Sequence, residues 1–147
     1  MATTTKVKAV PEGHHTVTPY LVVSGVAKLI EFTKQVFDAQ EVFISKRPDG
    51  SIAHAEVRIG DSTIMMGEGQ NVKNFPGMLH LYLEDCDAPY ARAIQAGAKS
   101  LREPADQPHG DRMGGVEDAF GNQWWLATHI EDVSAEEIER RMKAAQG

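Results

Sequence analysis

The sequence predicts an α+β protein of two βαβββ modules that form a cup-shaped mixed sheet, followed by one C-terminal helix. Three observations carry that prediction. Each half opens with a strand-like run that passes through a short turn into an amphipathic helix: TVTPYLVV (16–23) before Ser24-Gly25, and MLHLYL (78–83) before Glu84-Asp85. Each half also contains a tight turn followed by a short apolar strand, GDSTIMM (60–66) and FGNQWWLA (120–127). The spacing is constant as well, because Thr18 and Met78 lie sixty positions apart, and so do Met65 and Trp125. A unit repeated once implies modules that each bury one face against a neighbour. Two curved half-sheets of this kind can wrap around a shared cavity, so functional side chains are expected on the strand faces turned toward it.

Taken in order, residues 1–13 read as a flexible polar leader. One domain then follows, with module one over 16–68, module two over 77–129 and a terminal helix over 134–145. The first helix is expected over 26–37, where Val26, Leu29, Ile30, Thr33, Val36 and Phe37 fall on one stripe behind Ser24 as N-cap. Strands at 41–46 and 52–59 flank the turn Pro48-Asp49-Gly50, and Gly60-Asp61-Ser62 turns the chain into a strand at 63–66. The Gly/Asn-rich stretch 67–77 is the expected linker. The second helix is expected over 88–96, with Asp87 as N-cap, Pro89 in the first turn and Gly97 just past the end. Strands near 99–102, 112–117 and 123–129 complete module two. The run SAEEIERRMKAA places Ser134 and Glu137 in capping-box spacing and reads as a surface helix.

Bulk properties exclude several classes. A chain of 147 residues is long enough to bury roughly two-thirds of its unfolded surface in one domain. A formal charge of −6 argues against a nucleic-acid partner, whose phosphates favour a basic face. No apolar run approaches the roughly 18 residues of a membrane-spanning helix, and the N-terminal run lacks the apolar stretch of a signal peptide, so no membrane partner and a cytoplasmic location are expected. The single cysteine, Cys86, rules out an internal disulfide and a cysteine-based zinc cage. There is no Gly-Xaa-Ser-Xaa-Gly elbow, phosphate-binding loop or dinucleotide fingerprint.

The runs TVTPYLVVSGVAKLIEFTKQVFDA, IGDSTIMMGE, LEDCDAPYARAIQAGAK and GDRMGGVEDAFGNQWWLATHIEDVSAEEIERR together resemble the vicinal oxygen chelate superfamily. The nearest branch is the PhnB-like, glyoxalase/bleomycin-resistance type, and the resemblance spans about residues 16–141. It implies two βαβββ modules, a homodimer and, in the enzymes of the superfamily, one divalent metal held by side chains from the first and fourth strands of each module. The chain departs from the family pattern at Phe32-Thr33, Phe37-Asp38-Ala39 and Asp118-Ala119-Phe120-Gly121, which concern local backbone more than chemistry.

Counted from these motifs, the four ligand positions fall on Thr18, Met65 (with Met66 as the misregistered alternative), Met78 and Trp125. A hard divalent cation needs imidazole nitrogen or carboxylate oxygen, and this set supplies neither. No cofactor is therefore expected, with a divalent metal at His80 and Glu68 as the fallback, which His54 and Glu56 could in principle join. Strand alternation puts Thr18, Tyr20, Met65, Met78, His80, Tyr82 and Trp125 on the cavity side, along with Glu84, Ala127 and His129. Trp124 and Leu126 fall on the core side. Arg112 could anchor an anionic group at the cavity mouth or pair with Glu117 or Asp118. Gly13-His14-His15 looks like a metal motif but reads as solvated leader, and Cys86 reads as structural.

Two functions remain open. One is a metal-independent protein that sequesters or carries a hydrophobic or aromatic small molecule, since rings and thioethers with a few polar groups are the usual lining of such pockets. The other is a lyase, isomerase or dioxygenase with a reorganised metal or an acid–base pair formed by His80 and Glu84. The identity of the ligand is not written in the sequence.

Overall fold

Residues 7–69 and 75–146 are described in the structure, a computed structural model whose chain falls into two units, Met1–Phe75 and Pro76–Gly147. Unit one contains β1 (Tyr20–Val23), α1 (Val26–Phe37), β2 (Gln40–Lys46), β3 (Ile52–Ile59) and β4 (Ser62–Glu68). Unit two contains β5 (Met78–Tyr82), α2 (Asp87–Gln95), β6 (Lys99–Asp106), β7 (Asp111–Glu117) and β8 (Gln123–His129), followed by α3 (Ala135–Gln146). Each unit is a four-stranded mixed sheet, ordered β1-β4-β3-β2 and β5-β8-β7-β6. In both, the first strand runs parallel to the fourth, which the crossover through the helix makes possible, and the other pairs are antiparallel.

In unit one the helix covers one sheet face. Val26, Leu29, Ile30, Thr33, Val36 and Phe37 are the buried stripe of α1. They meet Leu21, Val23, Ala55, Val57, Ile59, Ile64 and Met66, all buried. Each large aliphatic or aromatic side chain so buried contributes roughly 1.5–3 kcal/mol, against the entropy of ordering the chain. The N-terminus of α1 differs from the expectation. Gly25, at φ 119°, is the cap residue rather than Ser24, and no side chain at the cap position bonds the helix. The Glu68 carboxylate reaches over from β4 instead, accepting the Gly25 N–H at 3.1 Å and the Val26 N–H at 2.8 Å. An anion bonded to free amides at a helix start is doubly favoured, by hydrogen bonding and by the helix dipole. At the other end Asp38 takes the left-handed conformation, φ 56°, and the Ala39 and Asp38 amides donate to the Thr33 and Lys34 carbonyls. That position suits glycine, and aspartate tolerates it better than most residues. The departure from the family pattern at Asp38 therefore falls on a cap.

In unit two α2 packs on β6 and β7. Its cap residue is Cys86, one position before the expected Asp87, and the Asp85 carboxylate accepts the Asp87 amide at 3.0 Å. Behind the sheet, Trp124, Leu126 and Val116 are fully buried. Trp124 donates its indole N–H to Asp118 at 2.9 Å. The same carboxylate accepts the Phe120 and Asn122 amides, closing the turn at Asp118-Ala119-Phe120-Gly121, so the third departure lies in an Asx-type turn.

Other boundaries move modestly. β6 runs to Asp106, beyond the expected 99–102, with irregularities after Ser100 and Arg102 that bend it. β1 begins at Tyr20, which leaves Thr18 outside the strand. Of the expected linker, Gly67 and Glu68 belong to β4 and Phe75 bridges to Val22, while 70–74 lie outside the described residues, as do 1–6 of the expected leader. Ser134 caps α3 by accepting the Glu137 amide, and Glu137 pairs with Arg140 and Arg141 rather than reaching back. Among the described residues, no helix is long and apolar enough to cross a membrane.

Candidate functional site

In each unit the sheet face away from the helix carries the polar and aromatic side chains that sequence parity assigns to function. The registers are decisive here. In unit one Met65 stands opposite Tyr20 on β1 and Glu56 on β3, while Gly67 stands opposite Val22 and His54. In unit two Trp125 stands opposite His80 on β5 and Gly115 on β7. The strand partners of Met65 and Trp125 are therefore Tyr20 and His80, each two residues after the expected Thr18 and Met78. In unit one Thr18 precedes β1 and donates its hydroxyl to the His15 carbonyl at 3.2 Å, and in unit two Met78 stands opposite Gln123. Met78 opens β5 and is 70% exposed. Met66 is buried on the helix side, so the misregistered alternative fails.

Unit one gathers a connected set. The Glu56 carboxylate lies between two imidazoles, with His14 Nε2 at 2.9 Å from Oε1 and His54 Nε2 at 2.9 Å from Oε2. His54 Nδ1 lies 3.2 Å from the Tyr20 hydroxyl. A neutral His54 that donates from Nε2 to the carboxylate has Nδ1 free to accept, so the Tyr20 O–H donates to it. Burial pushes the Glu56 carboxyl up, but hydrogen bonds from His54 and His14 outweigh it and hold the group below its ordinary value. Gly67 makes the geometry possible. A Cβ there would stand 2.6 Å from the Tyr20 hydroxyl oxygen. Phe43 stands opposite Glu56 on β2, half exposed, with its ring centroid 6.2 Å from that of His54.

This set corrects the reading of His14 as solvated leader. Its side chain is only 15% exposed, and the segment before β1 lies along the sheet, where the Thr63 hydroxyl donates to the Gly13 carbonyl at 2.8 Å.

Unit two is organised around Asp111, 2% exposed. His129 Nδ1 lies 2.8 Å from its Oδ1, and the Tyr82 hydroxyl donates to Oδ2 at 3.0 Å, with His109 Nε2 at 3.2 Å from the same oxygen. Burial pushes this carboxyl up, and the bonds from His129 and Tyr82 together with the His109 charge bring it below its ordinary value. The Tyr82 phenol is pushed up by its bond to Asp111. The His129 imidazole is raised by Asp132, whose carboxylate lies 2.7 Å from Nε2, and then by Asp111. A cavity of about 430 Å³ opens beside this cluster, lined by Tyr82, Leu83, Glu84, Thr128 and His129. His80 does not line it; its ring meets Tyr82 edge-to-face at 4.9 Å between centroids. Glu84 lines the cavity beside His129 rather than His80, and both ring nitrogens of His129 are bonded, Nδ1 to Asp111 and Nε2 to Asp132.

Trp125 lies across Gly115, where a Cβ would come within 2.6 Å of its ring, and the Arg102 guanidinium stands 5.8 Å from the ring centroid. Arg112 is corrected. Its register partner is Thr128, which turns it toward the helix side of the sheet, where Nε bonds Asp87 of α2 at 3.0 Å and Nη1 bonds Asp106 of β6 at 3.1 Å. It pairs with neither Glu117 nor Asp118, and its donors are committed away from the face that carries Trp125. The fallback metal ligand Glu68 is likewise committed, to the N-terminus of α1.

The Glu56 cluster carried a signal in the sequence. His54-Ala55-Glu56 places an imidazole and a carboxylate two positions apart on one face of β3, whereas His109 reaches Asp111 from the turn before β7. The contributions of His14 and His129 come from distant segments and have no such signature.

Residues 13–126 match the sequence model of the Glyoxalase/Bleomycin resistance protein/Dioxygenase superfamily. The chain belongs to that superfamily. An uncharacterized protein of Mycobacterium bovis is 34% identical over 138 residues, covering 86% of this chain and 91% of its own. An uncharacterized Mycobacterium tuberculosis protein has the same identity, with 86% and 81% covered. Among solved structures, TioX from Micromonospora sp. ML1 superposes with a TM-score of 0.68 at 20% identity, covering 77% of this chain and 97% of its own. A PhnB protein from Bacillus cereus gives 0.60 at 18%, covering 78% and 99%. The fosfomycin resistance protein FosX from Listeria monocytogenes, complexed with Mn(II) and 1S,2S-dihydroxypropylphosphonic acid, gives 0.58 at 19%, covering 85% and 94%. These likenesses establish the fold.

The superfamily metal does not fit the residues present. At the cross-strand pairs Tyr20–Met65 and His80–Trp125 the donors are a phenol, a thioether, an indole and one imidazole. Among the described residues, no three His, Cys, Asp or Glu side chains form a group able to hold a metal ion. In the Glu56 cluster each carboxylate oxygen faces an imidazole nitrogen, so the lone pairs and N–H groups satisfy one another.

Proposed function

We propose that this superfamily member is a metal-independent small-molecule-binding protein, holding a hydrophobic or aromatic ligand against the helix-free faces of its sheets. One observation carries the reading. Where a divalent cation would need histidine and carboxylate, the register sets Tyr20 beside Met65 and His80 beside Trp125, with Gly67 and Gly115 cleared beneath the two larger rings. Rings and thioethers recognise planar apolar groups by stacking and dispersion. The protein functions as a homodimer, since a two-fold pairing is the commonest way to cover the edges of such sheets.

Elemental analysis of the purified protein and thermal melts with added zinc, manganese or nickel test the metal-independence. No stoichiometric metal and no rise in melting temperature are expected, whereas a rise of several degrees at low micromolar metal would overturn it. Quenching of tryptophan fluorescence by aromatic compounds tests the binding, with Trp125→Ala removing the reporter on the helix-free face.

A second reading is favoured by the cavity beside Asp111. Glu84 and His129 both line it; the buried Asp111 orients the imidazole through Nδ1, and Nε2 becomes available for general acid–base work once the exposed Asp132 side chain swings away. This arrangement supports an isomerase- or lyase-type proton transfer, and His129→Gln abolishing turnover would distinguish it from pure binding.

A further inference from the structure

We infer that the helix-free face of unit one takes an aromatic ligand bearing a weakly acidic hydroxyl and binds it as the phenolate, with Tyr20, His54 and Glu56 removing and holding the proton. This deepens the binding function proposed above and rests on it. Three features argue for proton handling rather than for packing alone.

The first is connectivity. Tyr20, His54, Glu56 and His14 form one unbroken chain, with separations of 3.2, 2.9 and 2.9 Å. The Glu56 carboxylate and the His14 ring at its inner end are 14% and 15% exposed, and the hydroxyl at its outer end belongs to a half-exposed side chain, so the chain leads from solvent to a shielded charge. The second is direction. The Glu56 carboxylate can only accept, so a neutral His54 donates to it from Nε2 and presents Nδ1 as the acceptor facing the Tyr20 hydroxyl. The third is clearance. Gly67 lies under the Tyr20 hydroxyl, which occupies the place a Cβ would take, so the absent side chain lets the phenol reach His54, while Phe43 offers a ring beside His54 against which a planar ligand can lie.

The step balances without a co-reactant. The ligand hydroxyl gives its proton to the Tyr20 oxygen as the original Tyr20 proton passes to His54 Nδ1. The products are a phenolate hydrogen-bonded by the renewed Tyr20 hydroxyl, and an imidazolium paired with Glu56 and flanked by His14. Arg58, two residues further along β3 on the same face, is the other charged group of that strand face. No bond other than O–H and N–H is made or broken.

The test uses 4-nitrophenol, whose ionised form is recognised by its visible absorbance, and 4-nitroanisole, which has the same ring and no acidic proton. Binding of both is measured by equilibrium dialysis on the full chain, and the ionisation of bound nitrophenol by pH titration of its absorbance. The expected result is that bound nitrophenol ionises with an acid constant about tenfold or more above that of the free compound, one pKa unit. Tyr20→Phe should return it to the free value, with nitroanisole binding to the same variant measuring the ring contact that remains. Gly67→Ala should do the same by displacing the hydroxyl, and Glu56→Gln should reduce the shift. An unshifted ionisation on the wild-type protein, or a shift that survives Tyr20→Phe, overturns the inference. If both compounds bind equally without any shift, the binding function stands and only the phenolate site fails; if neither binds, the binding function fails with it.

Discussion

Replacing each of the two adjacent tryptophans with alanine should give opposite phenotypes, because neighbouring positions on β8 face opposite sides of the sheet. Trp124 is fully buried between sheet and helix, and its indole N–H donates to Asp118 at 2.9 Å. Trp124→Ala leaves a large cavity that the surrounding Leu126 and Val116 can fill only in part, which costs roughly 3–5 kcal/mol. For a chain of this length that is a fall in melting temperature on the order of 10 °C. Trp124→Phe keeps most of the volume and removes the donor, so its smaller loss of about 1.5–3 kcal/mol isolates the bond to the Asp118 carboxylate. Trp125 is half-buried, resting on Gly115 with its indole N–H bonded to Gln123 at 3.1 Å. Trp125→Ala should cost only about 1–2 kcal/mol of buried area while weakening any aromatic ligand on that face. Urea melts and fluorescence titrations on the three variants measure both quantities. Should Trp125→Ala lose as much stability as Trp124→Ala, or leave ligand binding intact, the assignment of the two faces would be wrong.

Other outcomes follow from the same structure. Glu68→Ala should cost about 1 kcal/mol in urea melts by leaving the first amides of α1 uncapped. Glu56 and Asp111 both have carboxyls held below their ordinary values, so the stability they contribute is present above the normal carboxylate range and lost as the pH falls through the depressed values. Melts between neutral and strongly acidic pH should show this acid limb, and Asp111→Asn, losing roughly 2–3 kcal/mol at neutral pH, should flatten it. Sedimentation velocity should give a homodimer rather than a particle of 16.1 kDa.

The sequence by itself determined the repeated strand–helix–strands order and which residues of each strand face the helix. Those features depend on local periodicity: the stripe from Val26 to Phe37, the alternation of Leu21 and Val23 with Tyr20 and Val22, the buried Trp124 beside the half-buried Trp125. Glycine turns at Gly60 and Gly121 punctuated the strands, so most boundaries fell within two residues. Tertiary structure decided what depends on register between distant strands and on where long side chains reach. Only the β1–β4 and β5–β8 pairings place Tyr20 beside Met65 and His80 beside Trp125. Only the fold commits Glu68 to the start of α1 and Arg112 to Asp87, because a carboxylate or guanidinium within reach of complementary groups is taken by them whatever its strand position suggests. The two carboxylate clusters show the same division. His54 and Glu56 stand two apart on one strand and are legible in the chain, whereas His109 meets Asp111 through the turn before β7. His14 and His129 reach those carboxylates from 42 and 18 residues away, a convergence that folding alone creates.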